Sequence, residues 1–77
     1  MNLEKMDQKD MVTRVESRAR AEAESHYAAG LKRFFAEDLE GAIKEWEITL
    51  KLDPANLKAK KDMERAHGML EQVKAAQ

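Results

Sequence analysis

The sequence predicts an all-α fold, and three observations support this prediction. Alanine, glutamate, lysine, leucine and arginine dominate the composition, with only three glycines and one proline among 77 residues. Apolar residues recur at steps of three and four, which is the period of an amphipathic helix. The pattern stops at two points that carry helix-capping residue types, at Asp38 and at 53–56. We therefore expect three helices in one small domain spanning residues 1–77.

The first helix is predicted over residues 9–36. No glycine or proline interrupts residues 1–29, which favours one continuous helix over a break near Ser17 or Ser25. Gly30 lies inside this helix, although an interior glycine costs about 1 kcal/mol relative to alanine. It therefore needs a structural reason. The apolar stripe of this helix comprises Val12, Val15, Ala19, Ala23, Tyr27, Leu31 and Phe34.

The second helix is predicted from Leu39, with Asp38 as its N-cap, to Leu52. Pro54 cannot occupy a helix interior, and Asn56 is a good capping residue. The third helix therefore begins after Asn56 and runs towards the C-terminus. The stripe of the second helix is Leu39, Ala42, Ile43, Trp46 and Leu50, and that of the third is Ala59, Met63, Ala66, Leu70 and Val73.

Residues 23–56 resemble a tetratricopeptide repeat. Gly30, Ala42 and Pro54 stand at the small, small and proline positions of that family, and Trp46 supplies the aromatic residue expected after Ala42. The resemblance implies two antiparallel helices, with Gly30 as a notch opposite Ala42 and a capping helix over 57–77. On this basis a valine at position 30 should cost several kcal/mol, whereas alanine should be tolerated far better.

The first helix departs from the family pattern at several positions. His26, Ala29 and Arg33 replace its usual tryptophan, leucine and tyrosine. Glu37 occupies a turn position that is usually glycine, which predicts backbone strain there. No full repeat precedes residue 23, so residues 1–22 are predicted to be a helical extension.

Catalytic and metal chemistry are not indicated by the sequence. The absence of cysteine excludes disulfides, a thiolate nucleophile and a sulfur-ligated zinc site. His26 and His67 lie on different predicted helices without a third ligand. No nucleophile triad or phosphate-binding loop is recognisable. We therefore expect no enzymatic activity, no metal and no cofactor.

Charge and hydropathy do not favour a nucleic-acid or membrane partner. The net charge is −1. Lys58, Lys61 and Arg65 share a face of the third helix, but no wider basic excess or interleaved aromatic residues accompany them. No apolar run approaches the roughly 18 residues of a membrane span, and the start lacks the pattern of a signal peptide. Together with the absence of cysteine, these observations predict a cytoplasmic location, and an exported fragment of a longer protein is the alternative.

The resemblance implies a protein-binding module with a groove lined by the first helices of its repeats. The candidate partner-binding residues are His26, Tyr27, Arg33, Lys58 and Lys61. The alternative is a helical homo-oligomerisation segment of a larger signalling or secretion protein. Nucleic-acid binding ranks third.

A homodimer is also predicted. About three repeats are usual for stability, so a single repeat leaves apolar surface uncovered. The first helix extends beyond its repeat, and a two-fold dimer is the commonest way to cover such a stripe. We expect the dimer to form through residues 9–23 and the third helix, with contacts from Val12, Val15, Ala19, Met63, Leu70 and Val73.

Overall fold

A computed structural model describes the backbone of residues 3–76 and the side chains of residues 17–76. This part of the chain forms three α-helices without a strand: α1 (Leu3–Phe35), α2 (Leu39–Leu52) and α3 (Leu57–Ala76). The predicted all-α class is confirmed. The first helix is continuous, as favoured, but begins at Leu3 and not near residue 9, because most of residues 3–8 are good helix formers.

The turn between α1 and α2 is a Schellman motif. The amide of Asp38 donates to the carbonyl of Arg33 at 2.8 Å, and the amide of Glu37 donates to that of Phe34 at 3.0 Å. Glu37 has φ 65°, in the left-handed region that favours glycine, so the strain expected here is confirmed. Asp38 then caps α2, since its Oδ1 accepts the amide hydrogen of Gly41 at 3.0 Å.

The turn between α2 and α3 follows the predicted capping pattern. α2 ends at Leu52, and the carboxylate of Asp53 accepts the amide hydrogen of Ala55 at 3.2 Å. Asn56 is buried at the start of α3, where its Oδ1 accepts the amide hydrogen of Ala59 at 3.1 Å. Both helix boundaries predicted around Pro54 are therefore confirmed.

The core is thin and centres on α2, which packs against both α1 and α3. Its buried apolar members are Ala23, Ala42, Ile43, Trp46, Ala59 and Ala66. Four of these six are alanines, so the helices approach closely around one large side chain, that of Trp46. The hydroxyl of the buried Thr49 lies within hydrogen-bond distance of the carbonyls of Ala23 (3.2 Å) and Glu45 (3.0 Å).

Gly30 makes room for the indole of Trp46. A Cβ at position 30 would overlap Nε1 and lie 2.6 Å from Cδ1 and 2.8 Å from Cε2 of that ring. The ring is held in place because Nε1 donates to the carbonyl of Tyr27 at 3.2 Å. The atoms nearest to Gly30 therefore belong to Trp46 and not to Ala42. Even the Cβ of alanine would therefore clash with this ring, so alanine leaves no slack at the crossing, and its better tolerance relative to valine stays a prediction.

Candidate partner-binding surfaces

Tyr27, one of the five predicted partner-binding residues, already contacts other residues of its own chain. Its hydroxyl donates to Oδ2 of Asp62 on α3 at 2.5 Å, and its ring centroid lies 6.2 Å from that of Trp46. Burial, followed by the hydrogen bond to Asp62 and the negative charge of that carboxylate, raises the pKa of Tyr27 to about 12. Tyr27 therefore links α1 to α3 and is not a free contact for a partner.

His26 and Arg33 are likewise paired with carboxylates of their own chain. Nδ1 of His26 lies 3.1 Å from Oε2 of Glu45 on α2. The guanidinium of Arg33 donates to Oδ2 of Asp38 at 3.1 Å. The amide of Gly41 and this guanidinium together lower the pKa of Asp38. Both predicted residues are thus paired within the chain, although each side chain remains partly exposed.

Lys58 and Lys61, the two predicted partner-binding residues on α3, are both exposed. Both lie in the N-terminal half of α3, and Arg65 continues their basic surface by one turn. Asp62 follows Lys61 directly in sequence but is turned towards Tyr27. The five predicted residues therefore do not form one continuous free surface.

A different surface, which sequence reasoning missed, combines an apolar floor with an acidic border. The end of α1, the Schellman turn, the start of α2 and the C-terminal half of α3 enclose an open groove of about 520 Å³. We call it the acidic-rimmed groove. Its apolar lining residues are Phe34, Leu39, Met69, Leu70 and Val73, and its acidic ones are Glu37, Asp38 and Glu40.

The floor of the acidic-rimmed groove remains accessible to solvent. Met69 is 40% exposed and Val73 is 49% exposed, one helical turn apart on α3. The ring of Phe34 lies 5.9 Å from that of Trp46 and, edge-on, 5.9 Å from that of Phe35, which is 78% exposed. The apolar surface therefore continues from the core to the end of α1. The spacing of Met69 and Val73 was the one signal of this groove in the sequence.

Two of the three residues predicted to form dimer contacts on α3 pack within their own chain. Met63 and Leu70 are partly buried against the core formed with α2. Val73 retains about half of its exposure. The predicted seam therefore does not present three free apolar side chains, because the turn of α3 points two of them inwards.

The dimer contacts predicted on α1 are described only in part. The side chains of Val12 and Val15 lie outside the described residues. Ala19 is half-buried and lies beside Leu52 and Pro54, where α2 ends. Pro54 itself is exposed and ends α2, as its place in the sequence predicted.

Among the described residues, no three histidine, aspartate or glutamate side chains converge to hold a metal ion. Likewise, no helix in this part of the chain combines the length and the apolar character needed to cross a membrane.

Comparisons with known proteins leave the acidic-rimmed groove to be interpreted from its own geometry. No protein-family model, curated protein or solved structure matches this chain.

Proposed function

We propose that this protein is a non-catalytic protein-binding module of the tetratricopeptide type, whose acidic-rimmed groove docks a segment of another protein. The exposure of Met69 and Val73 in an open groove carries this proposal. A small core gains stability from every apolar side chain that it buries, so leaving these two in water costs stability. Apolar side chains that line a concave surface with polar groups at its border are typical of binding sites.

The packing of the repeat positions supports the tetratricopeptide part of this proposal. Ala42 is fully buried and Trp46 fills the space above Gly30, as expected of two helices that cross at small residues. Pro54 follows the second helix, and α3 packs against α2 as the first helix of a following repeat would. We therefore propose for this chain the protein-binding function of that family.

The proposal is tested by capture from an extract of the source cells with three versions of the full chain. Met69→Asp places a charge on the groove floor, whereas Leu57→Asp makes the same change at a side chain that is 66% exposed and does not line the groove. We expect a protein retained by the wild type and by Leu57→Asp but lost with Met69→Asp. The purified partner should then bind Met69→Asp at least about tenfold more weakly in a calorimetric titration. Identical capture by all three versions would contradict the proposal.

Homo-oligomerisation is the second candidate function, and the length of α1 favours it. α1 has 33 residues and α2 has 14, so the N-terminal half of α1 has no counterpart of equal length in α2. A second copy of the chain is one way to cover such a helix. Its test is the oligomeric state of the purified full chain.

A further inference from the structure

We propose that the acidic-rimmed groove binds a basic amphipathic α-helix of a partner protein. Apolar side chains of that helix lie on Met69 and Val73, and its lysine or arginine side chains lie at Glu37 and Glu40. This inference rests on the proposed function above and specifies the chemistry of the partner. The experiments that would contradict this inference differ from those that would contradict the proposed function.

The shape of the floor matches the spacing of side chains on a helix. Met69 and Val73 are one turn apart on α3, which is about 6 Å along the axis, and Phe34 and Leu39 form the opposite side. Helical partners bind such grooves through apolar side chains one turn apart. Methionine suits this role because its flexible, polarisable side chain adapts to different partners.

The charge of the border selects a basic helix over an acidic one. All three charged side chains that line the groove are acidic, and no basic side chain is among its lining residues. Asp38 is already held by Arg33 and by the cap of α2. Glu37 and Glu40 are exposed. Two exposed carboxylates at the edge of an apolar floor attract cationic side chains and repel acidic segments.

A second copy of this chain fits the groove less well than a basic helix of another protein. Lys58 and Arg65 precede Met69 by eleven and four residues, so all three lie on one face of α3. If two α3 helices paired through this face in antiparallel orientation, the cations of each copy would cover the apolar floor of the other. Burying charges against apolar side chains is unfavourable.

The backbone at Glu37 offers an independent test of the border. Its left-handed conformation (φ 65°) disfavours any residue with a side chain, and the side chain itself is exposed. Replacing it by glycine should therefore raise the melting temperature. If the carboxylate binds the partner, the same Glu37→Gly change should weaken binding. A residue with a purely structural role would not produce this combination.

The partner chemistry is identified by selection from a peptide library on the immobilised full chain. The library fixes leucine at positions one turn apart on a helix and varies the flanking positions among lysine, glutamate, glutamine and serine. We expect lysine to be enriched over glutamate at the flanks. This preference should disappear with Glu37→Gln/Glu40→Gln. It should persist with Glu47→Gln/Glu64→Gln, which removes the same charge from two exposed sites outside the groove.

The selected peptide is then titrated by fluorescence anisotropy. Each of the two rim carboxylates should contribute about two- to fivefold in affinity, as exposed ion pairs do, and added salt should reduce this contribution. Met69→Asp should weaken binding by at least about tenfold. Glu37→Gly should bind more weakly than wild type while melting at a higher temperature.

Three outcomes would overturn this inference. If the library yields glutamate or no charge preference and binding still depends on Met69, the groove binds a partner of different chemistry and the proposed function stands. If no peptide is enriched above the Met69→Asp background, the basic-helix inference fails. The proposed function fails as well only if wild type and Met69→Asp also capture the same proteins from the extract. If a purified second copy competes for the site, the occupant is this chain itself.

Discussion

Tyr27 joins two helices that are otherwise held together mainly through a third. α1 packs on α2 and α2 packs on α3, whereas the hydroxyl of Tyr27 reaches Asp62 on α3 directly. The pairing requires a neutral phenol, because an ionised one would face a carboxylate without a hydrogen to donate. We expect this contact to help orient α3 relative to α1.

Tyr27 should titrate well above an ordinary tyrosine. It is the one tyrosine of the chain, so absorbance near 295 nm reports it alone. We expect a midpoint near pH 12 and not near 10, mainly because burial disfavours the phenolate. Since the pKa is raised on folding, this group's contribution to stability is complete below pH 10 and is lost as the pH rises towards 12. Circular dichroism of the same samples serves as the control, and a midpoint near 10 with native helicity would contradict the prediction.

Asp38 should make the protein less stable at acidic pH. Its pKa is lowered, first by the amide of Gly41 and then by Arg33, so its contribution is present above pH 3.8 and is lost as the pH falls through the lowered pKa. Asp38→Asn keeps an acceptor for the cap but cannot ionise. We expect wild type to melt above this variant at pH 7 and the gap to close in melts towards pH 2.5. A gap that stays constant with pH would show that the carboxylate charge is not involved.

The crossing of α1 and α2 depends on one glycine and one indole. Gly30→Ala should destabilise the fold by about 1–3 kcal/mol, because its Cβ overlaps the five-membered ring of Trp46. Trp46→Phe removes the atoms that clash and should make the two changes less than additive in a urea double-mutant cycle. A strictly additive pair would mean that Trp46 does not occupy the space above Gly30.

Gly68 provides the matched control for this cycle. It also lies inside a helix, but nothing lies within 4 Å of the Cβ that alanine would add. Gly68→Ala should therefore stabilise the protein by about 0.5–1 kcal/mol through helix propensity alone. Opposite signs at the two glycines would separate the effect of packing from that of propensity.

The helix boundaries could be predicted from the sequence more readily than the groove that the helices form. Asp38, Pro54 and Asn56 act on their immediate neighbours, so the ends of α2 and the start of α3 could be predicted from local chemistry. The partner of Tyr27 lies 35 residues away, and its identity depends on how α3 crosses α1. The acidic-rimmed groove was missed for the same reason, since its lining comes from all three helices and the spacing of Met69 and Val73 on α3 does not show which residues face them.

The whole molecule combines a small core with a long helix. Chains below roughly 70–80 residues rarely obtain more than about 3–5 kcal/mol from one core, and four of the six buried apolar side chains here are alanines. Any protein that covers the acidic-rimmed groove or the N-terminal half of α1 would therefore add noticeably to stability through mass action. We expect the isolated chain to melt at a concentration-dependent temperature if a second copy supplies that cover.

Self-association should involve α1 and not the groove. The 33 residues of α1 extend about 50 Å, and an antiparallel copy packed along residues 9–23 would bury their apolar stripe in a two-fold interface. We predict that light scattering gives the mass of a dimer at tens of micromolar and that Val12→Lys/Val15→Lys in the full chain gives a monomer. Met69→Asp should remain dimeric, because Met69 lines the groove and not α1. A monomeric wild type at that concentration would refute the prediction, and a dimer lost only with Met69→Asp would move the interface to the groove.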